Sequence, residues 1–241
     1  MSKLRYLVTS GCSFTETKTG MQTWAAWLAK HYKLELHNQG TGSQGNQHIS
    51  RKLIYQTNQL LLQGIDPEQI ICVAMWSGPN RTEYYNPNPP DYYPEGEGHE
   101  VNPDRFVPND RGGWIIQNSH WNSCESWYRN WESIESGQIR LYESIIHAQS
   151  WCDAQGITLV HGLFKKDVVT PEDLVNPATS WMVDIVNQYK WLPWACFDWC
   201  DSKHCELKFP NPRDWHPSRL QHKLYTERVI VPYMDKILCT V

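Results

Sequence analysis

Residues 5–15 read Arg-Tyr-Leu-Val-Thr-Ser-Gly-Cys-Ser-Phe-Thr, and this stretch decides the fold class. Its first five residues are typical of a short buried strand, which ends at Gly11. Ser13 follows directly on that strand. In an open α/β sheet the ligand binds outside the carboxyl ends of the strands. The stretch therefore predicts a buried strand that brings a serine hydroxyl to the ligand-binding edge of a sheet.

Outward from this strand, segments with helical periodicity alternate with strand-like segments. The predicted helices cover residues 22–32, 47–62, 138–154, about 171–188, and Pro217 to about Leu238. The predicted strands cover residues 33–37, with the alternation of an edge strand, residues 70–75, which are apolar throughout, and residues 157–164, which are mostly apolar. This alternation predicts an α/β fold in which helices cover both faces of a parallel sheet.

The length of 241 residues suits one domain with a long insertion better than two domains. Residues 77–135 are rich in Pro, Asn, Gly, Trp and Tyr and have little periodicity. We therefore expect a single domain over residues 1–241 with an insertion at about 77–135, which forms part of a substrate cleft or a lid. A second irregular stretch is predicted at about 189–213.

Composition excludes several functional classes. A net charge of −4 does not favour wrapping a nucleic-acid backbone or binding an anionic membrane. No apolar stretch is long enough for a signal-peptide core or a bilayer span, so we expect a location in the cytoplasm or in a virion or similar particle assembled there. The eight scattered cysteines are then expected to be reduced thiols.

Ser13 needs a base, because a serine hydroxyl is a poor nucleophile until its proton is removed. The candidate base is His216, within Asp214-Trp215-His216-Pro217. Residues two apart in an extended segment point to the same side, so Asp214 and His216 can lie side by side. Pro217 keeps His216 out of the helical conformation. A carboxylate beside a histidine fixes its tautomer and stabilises its protonated form.

Two loops could donate hydrogen bonds to an oxyanion. The first, residues 38–46, is a glycine-rich turn in which Gly42, Ser43 and Gly45 are alternative sources of a backbone N–H. The second, residues 78–81, reads Gly-Pro-Asn-Arg and offers the Asn80 side-chain amide. Together with the N–H of Ser13, these groups are the predicted oxyanion hole.

Four short blocks in this order resemble those of the SGNH/GDSL hydrolases. The particular residues in these blocks are similar to those of SGNH-like proteins of bacteriophages. The blocks are Gly11-Cys12-Ser13-Phe14, residues 38–46, Gly78-Pro79-Asn80 and Asp214-Trp215-His216-Pro217. The resemblance implies a flavodoxin-like three-layer sheet, no metal or other cofactor, and hydrolysis of an ester or thioester, often the removal of acetyl groups from carbohydrates. It implies that Ser13, His216 and Asp214 form the catalytic triad.

The chain departs from the family pattern at several positions. Cys12 and Arg81 stand where acids are common, Ser43 stands at the oxyanion glycine, and Arg213 occupies the usual place of the acid, three residues before the histidine. These departures motivate an alternative, in which the same fold is a catalytically inactive glycan-binding or structural module.

The chain has 13 Trp and 12 Tyr but only 5 Phe, and amphipathic aromatic side chains often line sugar or peptide grooves. We expect a small acylated or carbohydrate substrate as the partner. The predicted substrate contacts are Trp76, Arg81, Trp114, Trp121 and Trp215.

Two weaker motifs point to other chemistry. Residues 40–45 also fit Gly-x-Gly-x-x-Gly, which in a dinucleotide-binding protein cradles a pyrophosphate, but the acid expected after the next strand is missing. Cys196, Cys200, His204 and Cys205 include two types of zinc ligand, although their spacing is unlike that of common zinc sites, so no metal is expected.

Overall fold

The computed structural model describes residues 4–17, 22–86, 113–118, 133–166, 179–202, 204–207, 209 and 216–239. For residues 84–86 and 113–118 it describes the backbone alone. In chain order the elements are β1 (Tyr6–Gly11), α1 (Trp24–Tyr32), β2 (Glu35–Asn38), α2 (Asn46–Leu62), a 3₁₀ turn (Pro67–Gln69), β3 (Ile70–Trp76), β4 (Arg81–Asn86), β5 (Gly113–Asn118), α3 (Ile134–Gln155), β6 (Thr158–Leu163), α4 (Ser180–Val186), α5 (Cys196–Asp201), α6 (Arg219–Tyr225), a π-helical turn (Thr226–Ile230) and α7 (Val231–Leu238).

The main sheet has four parallel strands in the order β2-β1-β3-β6. This order confirms the predicted α/β class, and β2 lies at an edge as its alternating sequence predicted. All seven residues of β3 are buried, because this strand lies between two neighbours and has helices on both faces. Its uninterrupted apolar run is the pattern of such a strand.

Successive residues of β3 point to opposite faces of the sheet and enter two separate cores. Ile71, Val73 and Met75 pack on the side of α1, α5, α6 and α7. The remaining β3 side chains pack on the side of α2, α3 and α4. The sheet is therefore the middle of three layers. Among the described residues, no helix is both long and apolar enough to cross a bilayer.

The strand register brings the candidate loops to one edge. Gly11 pairs with Met75, and Trp76 pairs with Leu163, so residues 12–16 and 77–80 leave the sheet beside each other. The turn after β2 joins them, because Gln39 N–H donates to the Thr9 carbonyl at 2.7 Å.

The insertion contains regular structure that the sequence did not predict. β4 and β5 form an antiparallel pair, from Arg81 opposite Asn118 to Asn86 opposite Gly113. Its strands are only six residues each and belong to a stretch rich in turn formers, so their periodicity was too short to detect. α3 begins four residues earlier than predicted because Ser133 and Ser136 form a reciprocal capping box.

Near the carboxyl terminus, two helices differ from their predicted positions. α5 lies within the stretch predicted to be irregular. The last helix begins after Ser218 rather than at Pro217, because the Ser218 hydroxyl accepts from Gln221 N–H and caps it. Its π-helical turn directly precedes α7, whose second residue is Pro232, and the ring nitrogen of Pro232 has no hydrogen to donate to the preceding turn. The helix predicted near 171–188 is described only from residue 179 onward, where α4 (Ser180–Val186) lies, because residues 167–178 are outside the described residues.

Candidate active site

Ser13 lies in a tight turn at the carboxyl end of β1. The Cys12 carbonyl accepts hydrogen bonds from Thr15 N–H at 2.9 Å and from Glu16 N–H at 3.1 Å, which closes the turn around Ser13. A side chain at Gly11 would overlap the Thr15 hydroxyl and the Met75 carbonyl. The close approach of turn and strand therefore requires glycine at position 11, and Ser13 is left half-buried at the sheet edge.

The structure brings Ser13 and His216 together from positions 203 residues apart. His216 Nε2 lies 2.7 Å from Ser13 Oγ, a hydrogen-bonding distance at which the ring can accept the hydroxyl proton. The imidazole also packs on Phe14, with 5.1 Å between ring centroids, and Phe14 packs edge-on against Phe164 at 5.3 Å. The histidine is thus held from one side by an aromatic pair and from the other by the serine.

The structure does not describe the side chain of the predicted triad acid or those of three predicted substrate-binding tryptophans. Asp214, Trp215 and Trp121 lie outside the described residues, and only the backbone of Trp114 is described. Asp214 therefore stays a prediction as the triad acid.

Asn38 fixes the first oxyanion loop against the serine turn. Its side-chain oxygen accepts from Thr9 Oγ1 at 3.0 Å and from Gly40 N–H at 2.9 Å. Its side-chain amide donates to the Thr15 carbonyl at 2.7 Å. One amide group thereby joins the end of β1, the Ser13 turn and the glycine-rich loop.

The three alternative N–H donors of this loop have different surroundings. Ser43 has a φ of +60°, in the left-handed region that glycine adopts most easily. The N–H groups of Gly42 and Ser43 donate to no other described residue. The Gly45 N–H instead donates to Glu83 Oε1 at 2.5 Å. This bond contradicts the prediction that Gly45 is an oxyanion donor and leaves Gly42 and Ser43 as candidates.

Asn80 follows β3 in the loop next to the Ser13 turn and is half-buried. A side chain at Gly78 would overlap Asn80 Oδ1, so the small residue makes room for the amide. The same loop is anchored to α2 by Asn46, whose side chain accepts from Ser77 N–H at 2.8 Å and donates to the Ser77 and Gly78 carbonyls at 3.1 and 3.2 Å. The two predicted oxyanion loops are therefore directly bonded to each other.

Two predicted substrate contacts have structural positions instead. Trp76 is fully buried, and its indole N–H donates to His161 Nδ1 at 3.0 Å, which contradicts a role in binding substrate. Trp76 is the last of the β3 side chains that pack against α2, α3 and α4. The sequence alone could not distinguish this buried position from one at the sheet edge. Arg81 Nη1 donates to Ser77 Oγ at 2.7 Å and to the Gln44 carbonyl at 3.5 Å, so this guanidinium nitrogen holds loops rather than pointing into solvent.

The structure also contradicts the dinucleotide alternative. A bound pyrophosphate needs the N–H groups at the start of the helix that follows the glycine motif. At the start of α2, the carboxyl group of Glu83 already accepts from the Gly45 N–H and occupies the place of such an anion. In the described part of the chain, no three His, Cys, Asp or Glu side chains converge as a metal site would require.

Sequence reasoning missed two residues of this region. Glu83 lies in the insertion, which had no periodic signal, and only the contact with Gly45 reveals its place. Phe164 follows β6 directly, and its position as the last residue of the predicted strand 157–164 was the available signal. Its ring lies between Phe14 and the Arg81 guanidinium, which is 5.8 Å from the ring centroid.

No protein-family model and no curated protein sequence matches this chain. Among solved structures, the protein YxiM of Bacillus subtilis is similar with a TM-score of 0.50 and 11% identity, over 97% of this chain and 57% of that one. A lipolytic G-D-S-L family protein from Desulfitobacterium hafniense is similar with a TM-score of 0.48 and 13% identity, over 96% and 98% of the two chains. A G-D-S-L lipolytic protein from Veillonella parvula has a TM-score of 0.46 and 11% identity, over 93% and 95%. At such identities a likeness concerns the fold alone.

Proposed function

We propose that this protein is a serine esterase in which Ser13 is the nucleophile and His216 the general base. The observation that carries the proposal is the 2.7 Å contact between His216 Nε2 and Ser13 Oγ at the carboxyl edge of the sheet. A second support is independent of it, because the order of the four sequence blocks resembles the SGNH/GDSL hydrolases. A serine and a histidine from opposite ends of the chain meet where that resemblance requires them.

The reaction would proceed by acyl transfer in two halves. Ser13 Oγ attacks the acyl carbon while His216 Nε2 accepts its proton, and His216 then gives that proton to the departing alcohol. Water attacks the acyl-enzyme in the second half, with His216 again as base. Asp214 would orient the imidazole, because a carboxylate at Nδ1 keeps Nε2 free to accept a proton.

Negative charge develops on the carbonyl oxygen in both halves. The proposed donors to it are the N–H groups of Ser13 and of Gly42 or Ser43, together with the Asn80 side-chain amide. Such donors act in the transition state and are worth more in a site that excludes water. Phe14 supports this role, since its ring covers one side of His216 with apolar surface and is itself packed against Phe164.

For the substrate we propose a small acyl ester, such as an acetate, on a carbohydrate-like alcohol. Trp114, Trp121 and Trp215 remain the proposed substrate contacts, because amphipathic rings stack on sugar faces and still reach water. Trp114 and Trp121 belong to the predicted insertion, whose first strand, β4, begins directly after Asn80.

The test is covalent labelling by a fluorophosphonate, together with hydrolysis of an aryl acetate. We expect wild-type protein to label once and to release the phenol, and Ser13→Ala to do neither. Ser144→Ala is the matched control, since Ser144 is a buried serine on α3 that bonds only its own helix, and it should label at the wild-type rate. Equal labelling of Ser13→Ala and wild type would refute the nucleophile. A wild type that binds glycans but neither labels nor hydrolyses would favour the inactive binding module.

A further inference from the structure

Two neighbouring side chains of β4 hold a single peptide bond of the first oxyanion loop. The Gln44 carbonyl accepts from Arg81 Nη1 at 3.5 Å, and the N–H of the same peptide unit, that of Gly45, donates to Glu83 Oε1 at 2.5 Å. Residues two apart on a strand point to the same side, so Arg81 and Glu83 reach the loop together. Both ends of this peptide dipole are therefore fixed by the insertion.

Glu83 also replaces a missing helix cap. Gly45 is the N-cap of α2 and has no side chain to accept the first N–H groups of the helix. The Glu83 carboxylate accepts from the N–H of Gly45 and from that of His48, three residues further on. In a capping box these two bonds come from side chains of the helix itself. A side chain at Gly45 would overlap Glu83 Oε1, so the glycine and the distant carboxylate fit each other.

The carboxylate is fully buried, which is costly for a charged group unless opposite charge compensates it. Burial raises the pKa of Glu83, whereas Arg51 and the N–H groups of Gly45 and His48 act in the opposite direction. Arg51 Nη2 lies 3.7 Å from Glu83 Oε2, and the positive end of the α2 dipole faces the same group. A buried acid with these partners at the cap and in the first turns of α2 has a defined position.

The same strand also joins the second oxyanion loop. Arg81 donates to Ser77 Oγ at 2.7 Å, and Asn46 at the start of α2 bonds the Ser77 and Gly78 backbone. The peptide that β4 holds lies one residue from Ser43, and the Arg81 guanidinium that bonds it also bonds Ser77 at the start of the Ser77–Asn80 loop. A shift of β4 would therefore move both sets of predicted donors.

We propose that Glu83, with Arg81, is a positioning residue that orients the oxyanion loops through the Gln44–Gly45 peptide. The inference rests on the proposed esterase function and extends it, because it gives the start of the insertion a role in transition-state binding. When oxyanion donors are misplaced, the enzyme loses more binding energy to the transition state than to the bound substrate. The role therefore affects kcat and not KM.

The experiment compares Glu83→Ala, Glu83→Gln and wild type in aryl acetate hydrolysis and in inhibition by an aryl boronic acid, which forms a tetrahedral adduct on serine. We expect Glu83→Ala to lower kcat by about tenfold to a hundredfold with KM nearly unchanged. The inhibition constant of the boronic acid should rise by the same factor. Glu83→Gln retains one acceptor oxygen and should recover part of the loss.

Leu60→Ala is the control for a general loss of stability. Leu60 is buried on the same helix α2, far along the chain from its start, and lies outside the proposed site. At a temperature where all variants are folded, Leu60→Ala should keep the wild-type kcat. A Glu83→Ala protein with wild-type kcat, a change in KM alone, or a loss equal to that of Leu60→Ala would overturn the positioning role. A wild type that does not hydrolyse the ester would refute the esterase as well, whereas an active wild type with an equally active Glu83→Ala refutes the positioning role alone.

Discussion

His216 and His161 lie in contrasting regions of the molecule. His216 is half-buried at the sheet edge, and Nε2 faces the Ser13 hydroxyl. His161 is fully buried in β6, with Nδ1 accepting from Trp76 and Nε2 at 2.8 Å from Gln149 Oε1. Its ring also stacks on Tyr189, with 5.5 Å between ring centroids. Both nitrogens of His161 are used within the core, whereas Nε2 of His216 faces the hydroxyl group of the proposed nucleophile.

The comparison teaches that surroundings, and not residue type, decide whether a histidine can serve as a base. Burial lowers the pKa of His161 to about 3, so this ring stays neutral near pH 7. His222, close to His216 and fully buried, has its pKa lowered to about 3 by burial and secondarily by His216. Among these three, His216 alone combines partial exposure with a serine partner.

The largest effect should come from replacing the histidine at the sheet edge. His216→Gln removes the proton acceptor, and we expect turnover of an aryl acetate to fall by about 10⁴-fold or more. His161→Gln should leave kcat within about threefold when the protein is folded, because no described group joins it to Ser13. Steady-state kinetics on both proteins checks the contrast, and similar losses in the two would show that it is wrong.

The next effect concerns the oxyanion donor on the neighbouring loop. Asn80→Ala should lower kcat by about a hundredfold to a thousandfold, as is typical when one such donor is removed. Asn187→Ala, an exposed amide after α4, is the control and should be fully active. If Asn80→Ala changed KM but not kcat, the amide would bind the substrate and not the transition state.

In the core region the expected effect is on stability. His161→Ala removes a ring from the aromatic stack and leaves the Trp76 N–H without its acceptor in a buried site. We expect the free energy of unfolding to fall by about 2–4 kcal/mol. Urea denaturation followed by tryptophan fluorescence measures it, and a change below about 0.5 kcal/mol would mean that the network is not stabilising.

The smallest effect is the dependence of stability on pH. A folded-state pKa of about 3 lies below the unfolded value of about 6.5, so His161 contributes stability above pH 6.5 that is lost as the pH falls towards 3. Between pH 7 and 5 the loss should be about 2 kcal/mol from this residue. Denaturation of His161→Gln should lack that component, while the contributions of other histidines cancel in the difference. If the difference in the free energy of unfolding between wild type and His161→Gln did not change with pH, His161 would not be held neutral by the fold.

Much of the fold could be predicted because it depends on local pattern. The apolar runs of β1, β3 and β6 and the periodicity of α1 and α2 identified those elements to within a few residues. Ser13 and His216 were also predicted, since each lies at a strand or helix end that the sequence marks. Trp76 was misplaced because an aromatic residue at the end of a strand looks the same whether it faces the core or the sheet edge.

The sequence by itself determined a parallel sheet with a serine at the end of its first strand, because apolar periodicity is a local property that needs no partner. The tertiary structure alone decided that the Gly45 N–H is already hydrogen-bonded, that Arg81 joins two loops and that Glu83 caps α2. Each of these depends on a hydrogen bond across more than 30 residues, and whether a polar group is satisfied depends on which groups the fold brings next to it.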